Sequence, residues 1–554
     1  MVKTLRLTLI QRGSNWISRY SGRSFSSWAS VSLIAVVFLP VLPGLYWEIL
    51  PVLHMDIWKL FLSNPLLPHA LITTAISAIL GTVLAIIIAL LIAIQLYPGS
   101  LWLQLRRRLP LMLSVPHAAF SIGFFFLIAP SGWLSRLIAQ VMNWTIPPAW
   151  VTVQDEYGLS LALALTIKES WFLLWALSAL LNERIVSQQM TIVRTLGYNR
   201  WQAWRYILLP QLLPRLGWPF TAVFAYSLSV VDMSIILGPT NPPTLAVLIW
   251  RWLTDADPIQ QAQGSVAAVV LFLFLASVIF LVRFLWSKLL HSNYYPNGKR
   301  VTTRPTSALR LYRPLFWLGY TIVILLIAWS LAGTWFFPAV LPDAFSLHNW
   351  LQADFTPFST SLWLASAVCF LCLPIALIWL EWGPQRYNAL IYIPLIVPAM
   401  PLVAAQYAAL LAWDLDSTIV GLIWSHLLWV LPYMILTLVG PYREFDQRYM
   451  TTARALGFSR LHACLTVKWP ILIRPILASM AVGFAVSIAQ YLPTLFAGGG
   501  RFVTVTTEAV ALSSGGSRQT LAVQALLQII LPLSAFFIAA LIPVWLTRNR
   551  KGLH

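Results

Sequence analysis

Apolar runs near 20 residues recur along this chain, separated by short polar segments. Each is long enough to cross a hydrocarbon core of about 30 Å as a helix. Twelve such runs are predicted as spans. The first half has roughly 31–50, 70–97, 109–130, 158–181, 214–237 and 264–286. The second has roughly 315–337, 360–380, 390–413, 417–440, 472–496 and 521–546. Prolines such as Pro40, Pro43, Pro374 and Pro394 blur the boundaries. Backbone exposed to lipid must satisfy its own hydrogen bonds, so nearly all structure is expected to be helical. The predicted fold class is an all-α integral membrane protein of about 12 transmembrane helices, arranged as two homologous six-helix halves.

One polar segment interrupts this pattern twice, 260 residues apart. It reads MTIVRTLGYNRWQAWRYILLP from Met190 and MTTARALGFSRLHACLTVKWP from Met450. Without a gap, Met190, Thr191, Arg194, Leu196, Gly197, Arg200, Ala203 and Pro210 match Met450, Thr451, Arg454, Leu456, Gly457, Arg460, Ala463 and Pro470. The register continues through Phe224/Phe484, Ser227/Ser487, Gly238/Gly498 and Thr244/Thr504. Val186, Met190 and Val193 fall at helical spacing, as do Phe445, Tyr449, Ala453 and Leu456. Gly197 and Gly457 then offer the left-handed stop that ends a helix. Asn199 and Ser459 follow as N-cap residues. Each copy thus predicts a helix, a glycine hinge, a capped short helix, a proline and the next span. A stiff elbow of this kind can transmit a push from a soluble partner.

Composition agrees with a membrane protein: 59% hydrophobic and 10% charged residues, with mean hydropathy +0.77. A soluble domain carries about 25% charged residues. The net charge of +19 does not imply nucleic acid, because of where it lies. With the N-terminus inside, 30 of the 36 Lys and Arg residues fall on the cytoplasmic side, leaving that face at +26 and the outer face at −6. This is the positive-inside bias, kept by every loop but the last outer one, with Arg501, Glu508 and Arg518. Both elbows and both termini come out cytoplasmic. The first apolar run follows about 28 polar and basic residues without an A-x-A-like exit, and reads as a retained helix. Expected organisation is an N-terminal arm 1–30, a first half 31–286 with its core from about 68, a basic linker 287–314, a second half 315–546 with its core from about 356, and a tail 547–554. Cys369 and Cys372 sit in an apolar span and Cys464 is single, so packing is their expected role.

The duplicated segment resembles the cytoplasmic "EAA" loop of permease subunits of binding-protein-dependent ABC importers. That motif runs EAA, three residues, Gly, nine residues, then I-x-L-P. Gly197 is followed by nine residues and Ile207, Leu209 and Pro210; Gly457 is followed by nine and Val467, Trp469 and Pro470. The triplet itself stands as Thr191-Ile192-Val193 and Thr451-Thr452-Ala453. The resemblance covers nearly the whole chain as two fused permease domains, and is greatest to the thiamine and iron(III) type. It implies a type I importer fold in the bacterial inner membrane. It also implies a dimeric ABC ATPase docked on the two loops, an extracytoplasmic solute-binding protein and a small-molecule or ion substrate. The coupling residues would be Thr191, Arg194, Leu196, Gly197, Arg200 and Pro210, with Thr451, Arg454, Leu456, Gly457, Arg460 and Pro470. The drift to V-x-W-P in the second copy implies unequal docking sites.

No G-x-x-x-x-G-K-[ST] occurs, so ATP is expected on the partner and no cofactor on this chain. Scattered histidines argue against a metal cluster. Charges inside a membrane cost several kcal/mol unless paired or wet, which singles out Lys168, Glu169, Asp232 and His426. With Gln490 they are candidates for a pathway or gate, against a structural role in pairing helices. Adjacent on a helix, Lys168 and Glu169 are expected to reach different partners. The triple glycine Gly498–Gly500 reads as a tight turn or an outer-mouth hinge. Two other functions fit six-plus-six topology less well. A secondary transporter without an ATPase leaves the elbows unexplained. A membrane enzyme lacks a convergent catalytic set.

Overall fold

A computed structural model describes residues 27–181, 184–285 and 312–547. Most of the arm, the linker and the tail therefore lies outside the described residues. In the first half the elements are α1 (Ser27–Leu53), α2 (Leu67–Leu96), α3 (Ser100–Leu113), α4 (His117–Ile128) and α5 (Leu159–Leu181). Next come α6 (Arg184–Thr195), α7 (Arg200–Ala203), α8 (Leu209–Ser229), α9 (Asp232–Leu237), α10 (Leu245–Leu253) and α11 (Pro258–Leu285). The second half repeats the order. It begins with α12 (Tyr312–Leu331), α13 (Thr356–Trp382), α14 (Ala399–Ala412) and α15 (Ile419–Glu444). It closes with α16 (Gln447–Ala455), α17 (Arg460–Ala463), α18 (Ile473–Ala489), α19 (Leu492–Gly498), α20 (Val505–Ser513) and α21 (Arg518–Thr547).

Among the described residues, nine helices are long and apolar enough to cross a membrane, or ten if one bent pair is a single span. Several of the twelve expected runs are interrupted. The run at 31–50 turns at Leu39 and Pro40, and the run at 109–130 breaks at 114–116 between α3 and α4. The run at 214–237 stops at Ser229 and restarts at Asp232. The run at 472–496 stops at Ala489, restarts at Leu492, and is bent by 80° near Leu472. The run at 390–413 is helical only from Ala399. Freed backbone groups at membrane depth need partners, and side chains supply them. Ser229 Oγ accepts the Ala399 N–H at 3.0 Å. The Leu237 carbonyl accepts from Gln154 N and Ser160 Oγ.

The two halves embrace. Helix α1 lies on α14 of the other half, and the Trp424 indole donates to the Val37 carbonyl at 3.1 Å. Reciprocally, α12 lies on α4. Each crossing is close because a glycine stands at it. A Cβ on Gly44 would run into the Ala405 carbonyl, and one on Gly123 into the Ile322 side chain. Small residues are how membrane helices approach without a hydrophobic driving force. At the end away from the elbows, buried Arg136 fastens the join: it donates to the carbonyls of Phe336 at 2.7 Å and Ala339 at 2.6 Å. Arg518 adds a bond to Ser131 Oγ at 2.6 Å. Cys369, Cys372 and Cys464 are free and buried.

Gly44→Leu must displace backbone, so it should destabilise the protein by about 1–3 kcal/mol. A thermal melt in detergent should show a clear drop. Gly217→Leu, with nothing within 4 Å of the new Cβ, should leave the melt unchanged.

Candidate functional site

Each elbow is built from local rules. Gly197 and Gly457 have φ of +85° and +91°. Around them the Tyr198 N–H reaches the Val193 carbonyl, and the Gly197 N–H that of Arg194; Phe458 and Gly457 repeat this on Ala453 and Arg454. These paired bonds close the last helical turn and leave only a left-handed residue able to follow. Asn199 then caps α7, accepting the Gln202 N–H at 2.8 Å, while Gln202 accepts the Asn199 N–H at 3.3 Å. Ser459 caps α17 through the His462 N–H at 3.3 Å. A π-helical turn follows in both copies, Trp204–Leu208 and Cys464–Lys468.

What fixes each elbow is the matched arginine. Arg200 donates to the Gln95 carbonyl and, at 3.4 Å, to that of Pro98. Arg460 donates to the Glu381 carbonyl at 2.7 Å. Gln95 and Glu381 are the penultimate residues of α2 and α13, whose last carbonyls have no partner within the helix. A guanidinium there meets both the open acceptors and the negative end of the helix dipole.

Beyond the arginine the copies differ. In the first, Trp204 is fully buried, packs edge-on against Tyr97 with centroids 6.3 Å apart, and donates to the Tyr97 carbonyl at 3.5 Å. In the second, the Glu381 carboxylate is the hub. Its side chain is only 5% exposed. It accepts from Arg460 Nε at 2.8 Å, Lys468 Nζ at 2.7 Å and Tyr442 OH at 2.8 Å, and Trp469 donates to that hydroxyl at 3.2 Å. Around it opens a polar cavity of about 300 Å³ that Arg443 and Gln447 help to line. Glu381, Tyr442 and Lys468 were not singled out from the sequence. Val467 and Trp469 are the two departures from I-x-L-P; Trp469 and Lys468, the latter at the free position, both join the network around Glu381.

The outward faces carry apolar side chains where the repeat matches. Leu196 and Leu456 are 53% and 73% exposed; Trp201 and Leu461 are 49% and 52%. Thr191, Arg194, Thr451 and Arg454 are exposed beside them, Pro470 is exposed and Pro210 half-buried. Val186, Met190 and Val193 are buried as their spacing predicts. In the second copy Tyr449 and Leu456 are exposed instead, and Met450 turns inward. Met450 and Ala453 are buried as Met190 and Val193 are, and Leu456 is exposed as Leu196 is, so the inward face follows the register of the repeat and leaves Tyr449 outside it.

No family model matches the chain. Over 533 residues it is 40% identical to the inner membrane ABC transporter permease protein YnjC of Escherichia coli K12, covering 96% of this chain and 98% of the relative. The chain belongs to the inner-membrane ABC transporter permeases. It is also 24% identical over 419 residues to the thiamine transport system permease protein ThiP of Salmonella typhimurium, covering 71% of this chain and 73% of that one. The permease is therefore a multi-pass inner-membrane transport subunit that works with ABC transporter partners.

Inside the permease, the charged residues do different work. Lys168 is buried and donates to the Met112 and Val115 carbonyls, with Met112 at 3.2 Å, capping the broken end of α3. Its neighbour Glu169 instead meets His117 Nε2 at 3.1 Å. His117 stacks near Tyr226, with centroids 4.6 Å apart. Asp232 opens α9 at the first break, within electrostatic reach of His117, Tyr226 and Tyr491. Tyr433 of the second half lies within reach of Glu169. Glu169, His117, Asp232 and three tyrosines from both halves thus gather at the seam. Gln490 sits at the second break, half-buried, with its carbonyl accepting from Thr494 Oγ1. His426 lies elsewhere: fully buried, it bridges Ser487 Oγ and Thr494 Oγ1, both at 2.9 Å, and ties α15 to α18 and α19. His117 and the tyrosines carried no charge signal in the sequence.

Removing one partner of a buried ion pair costs about 3–5 kcal/mol, whereas replacing both by neutral groups is often harmless. The first copy has Gln95 and Leu208 at the positions of Glu381 and Lys468. Glu381→Gln alone should therefore lower the melting temperature sharply. Adding Lys468→Leu should restore most of it.

Proposed function

We propose that the permease forms the translocation pathway of an ATP-driven importer and is coupled to a separate dimeric ATPase through its two elbows. The observation that carries this reading is the pair of matched apolar faces, Leu196 with Trp201 and Leu456 with Leu461, exposed on elbows that are pinned to membrane helices. Exposed apolar side chains outside the bilayer, rimmed by arginines, suit a protein partner. Two copies in one chain suit a two-fold ATPase. ATP would be bound and hydrolysed on that partner. The charge bias supports elbows and termini in the cytoplasm, and an extracytoplasmic binding protein would then meet the opposite face.

The seam between the halves is the pathway in this reading, with Glu169, His117, Asp232 and Gln490 near the helix breaks, as solute sites are in other membrane transporters. Lys168 and His426 would hold helices together. The solute is a small molecule or ion. Thiamine, in the name of the ThiP relative, is one candidate and iron(III) another.

Three outcomes test this. Deleting 191–210 or 451–470 should abolish co-purification with the ATPase subunit, while membrane insertion persists. ATPase-independent uptake in the deleted protein would instead support a secondary transporter. Gly457→Asn, which tolerates the left-handed conformation, should keep coupling, whereas Gly457→Val should lose most of it at about 1–2 kcal/mol of local strain. Substrate-stimulated ATPase activity reads the difference. Glu169→Gln should impair uptake without affecting ATPase binding.

A further inference from the structure

A cleft of about 790 Å³ lies between α1 and the second half. Its walls are apolar: Val31, Ile34 and Phe38 of α1 face Leu390 and Ile391. Helix α1 touches the second half at Val37, whose carbonyl takes the Trp424 N–H, and most tightly at Gly44 against Ala405. Among the described residues, the cleft is a part of this seam that side chains leave unfilled. Its elbow-side end is different. Arg386 stands there, exposed, with its guanidinium 4.7 Å from the Tyr387 ring centroid. Trp28 and Tyr387, 71% and 41% exposed, flank it. No acidic residue is among those lining the cleft.

Trp and Tyr beside an arginine mark the level of lipid headgroups. A basic group at the mouth of an inter-helix pocket suits an anionic headgroup, and guanidinium matches phosphate in geometry. An apolar slot below it suits a hydrocarbon tail. We infer that this cleft binds one anionic phospholipid of the elbow-side leaflet, its phosphate on Arg386 and an acyl chain between α1 and Leu390. The lipid completes the join between the halves, so its occupancy bears on the same embrace that Gly44 makes possible. This does not depend on the ATPase reading.

Full-length permease in neutral detergent is titrated with dioleoyl-phosphatidylglycerol or dioleoyl-phosphatidylcholine, followed by thermal unfolding and native mass spectrometry. The phosphatidylglycerol should raise the melting temperature, saturate at one retained lipid, and bind about tenfold tighter than phosphatidylcholine, as expected of a charge-assisted contact. Arg386→Gln should erase that preference and Arg386→Lys should keep most of it. Leu390→Trp, which fills the slot, should reduce retention of both lipids. Equal effects of the two lipids on the unaltered protein, or an undiminished preference in Arg386→Gln, would overturn the inference. So would lipid binding that emerges only after removal of residues 2–24, which would assign the cleft to the chain's own N-terminal arm.

Discussion

The organisation of this permease hangs on an arginine set against the last carbonyls of a membrane helix. Helix ends leave carbonyl acceptors without partners inside the helix. Arg200 and Arg460 take them up at the ends of α2 and α13. The contact joins two pieces far apart in sequence: the elbow and a helix separated from it by two intervening spans. Without it the elbow would be a capped short helix on a glycine hinge. With it, the elbow and a 27- to 30-residue helix move together. That is the mechanical property a coupling device requires, and it gives a physical reason for the same arginine in both copies.

The two copies reach that stiffness by different chemistry. The first uses an aromatic plug, Trp204 against Tyr97 and the latter against Trp102, with a neutral Gln95. The second inserts a buried carboxylate and satisfies it with Arg460, Lys468 and Tyr442. A buried ion pair is weak grounds for extra stability, but it is demanding in geometry. The second elbow is thus held in one orientation by several charge-assisted bonds. The first is held by packing, which tolerates small shifts. The two elbows are thus unequal in their anchors as well as in their exposed faces.

The elbows were the most legible part of the sequence because their signals are local. Glycine at the left-handed position, Asn or Ser two residues on, and buried Val186, Met190 and Val193 follow from rules spanning four or five residues. The miss at Tyr449 was local too: the inward face runs through Met450 and Ala453, in register with Met190 and Val193. Glu381 escaped notice because it lies 79 residues before Arg460 and sits at the end of an ordinary apolar span. The pairing of Glu169 with His117, 52 residues apart, was hidden in the same way. Hydropathy reports composition and not backbone continuity, so the breaks at 230–231 and 490–491 were invisible within smooth apolar runs. Exchange of α1 and α12 between halves leaves glycines such as Gly44, Gly123 and Gly319 as its trace, and a single glycine in a membrane helix says little alone.

The central claim is that the two elbows are where force enters the permease. Site-specific photocross-linking tests it most directly. A benzophenone amino acid is placed at Trp201, at Leu461 and at Leu351, which is 84% exposed and lies away from the elbows. After irradiation in native membranes, both elbow positions should give adducts with the ATPase subunit, and Leu351 should give none. Absence of an ATPase adduct from both elbows, or equal capture from Leu351, would contradict the account.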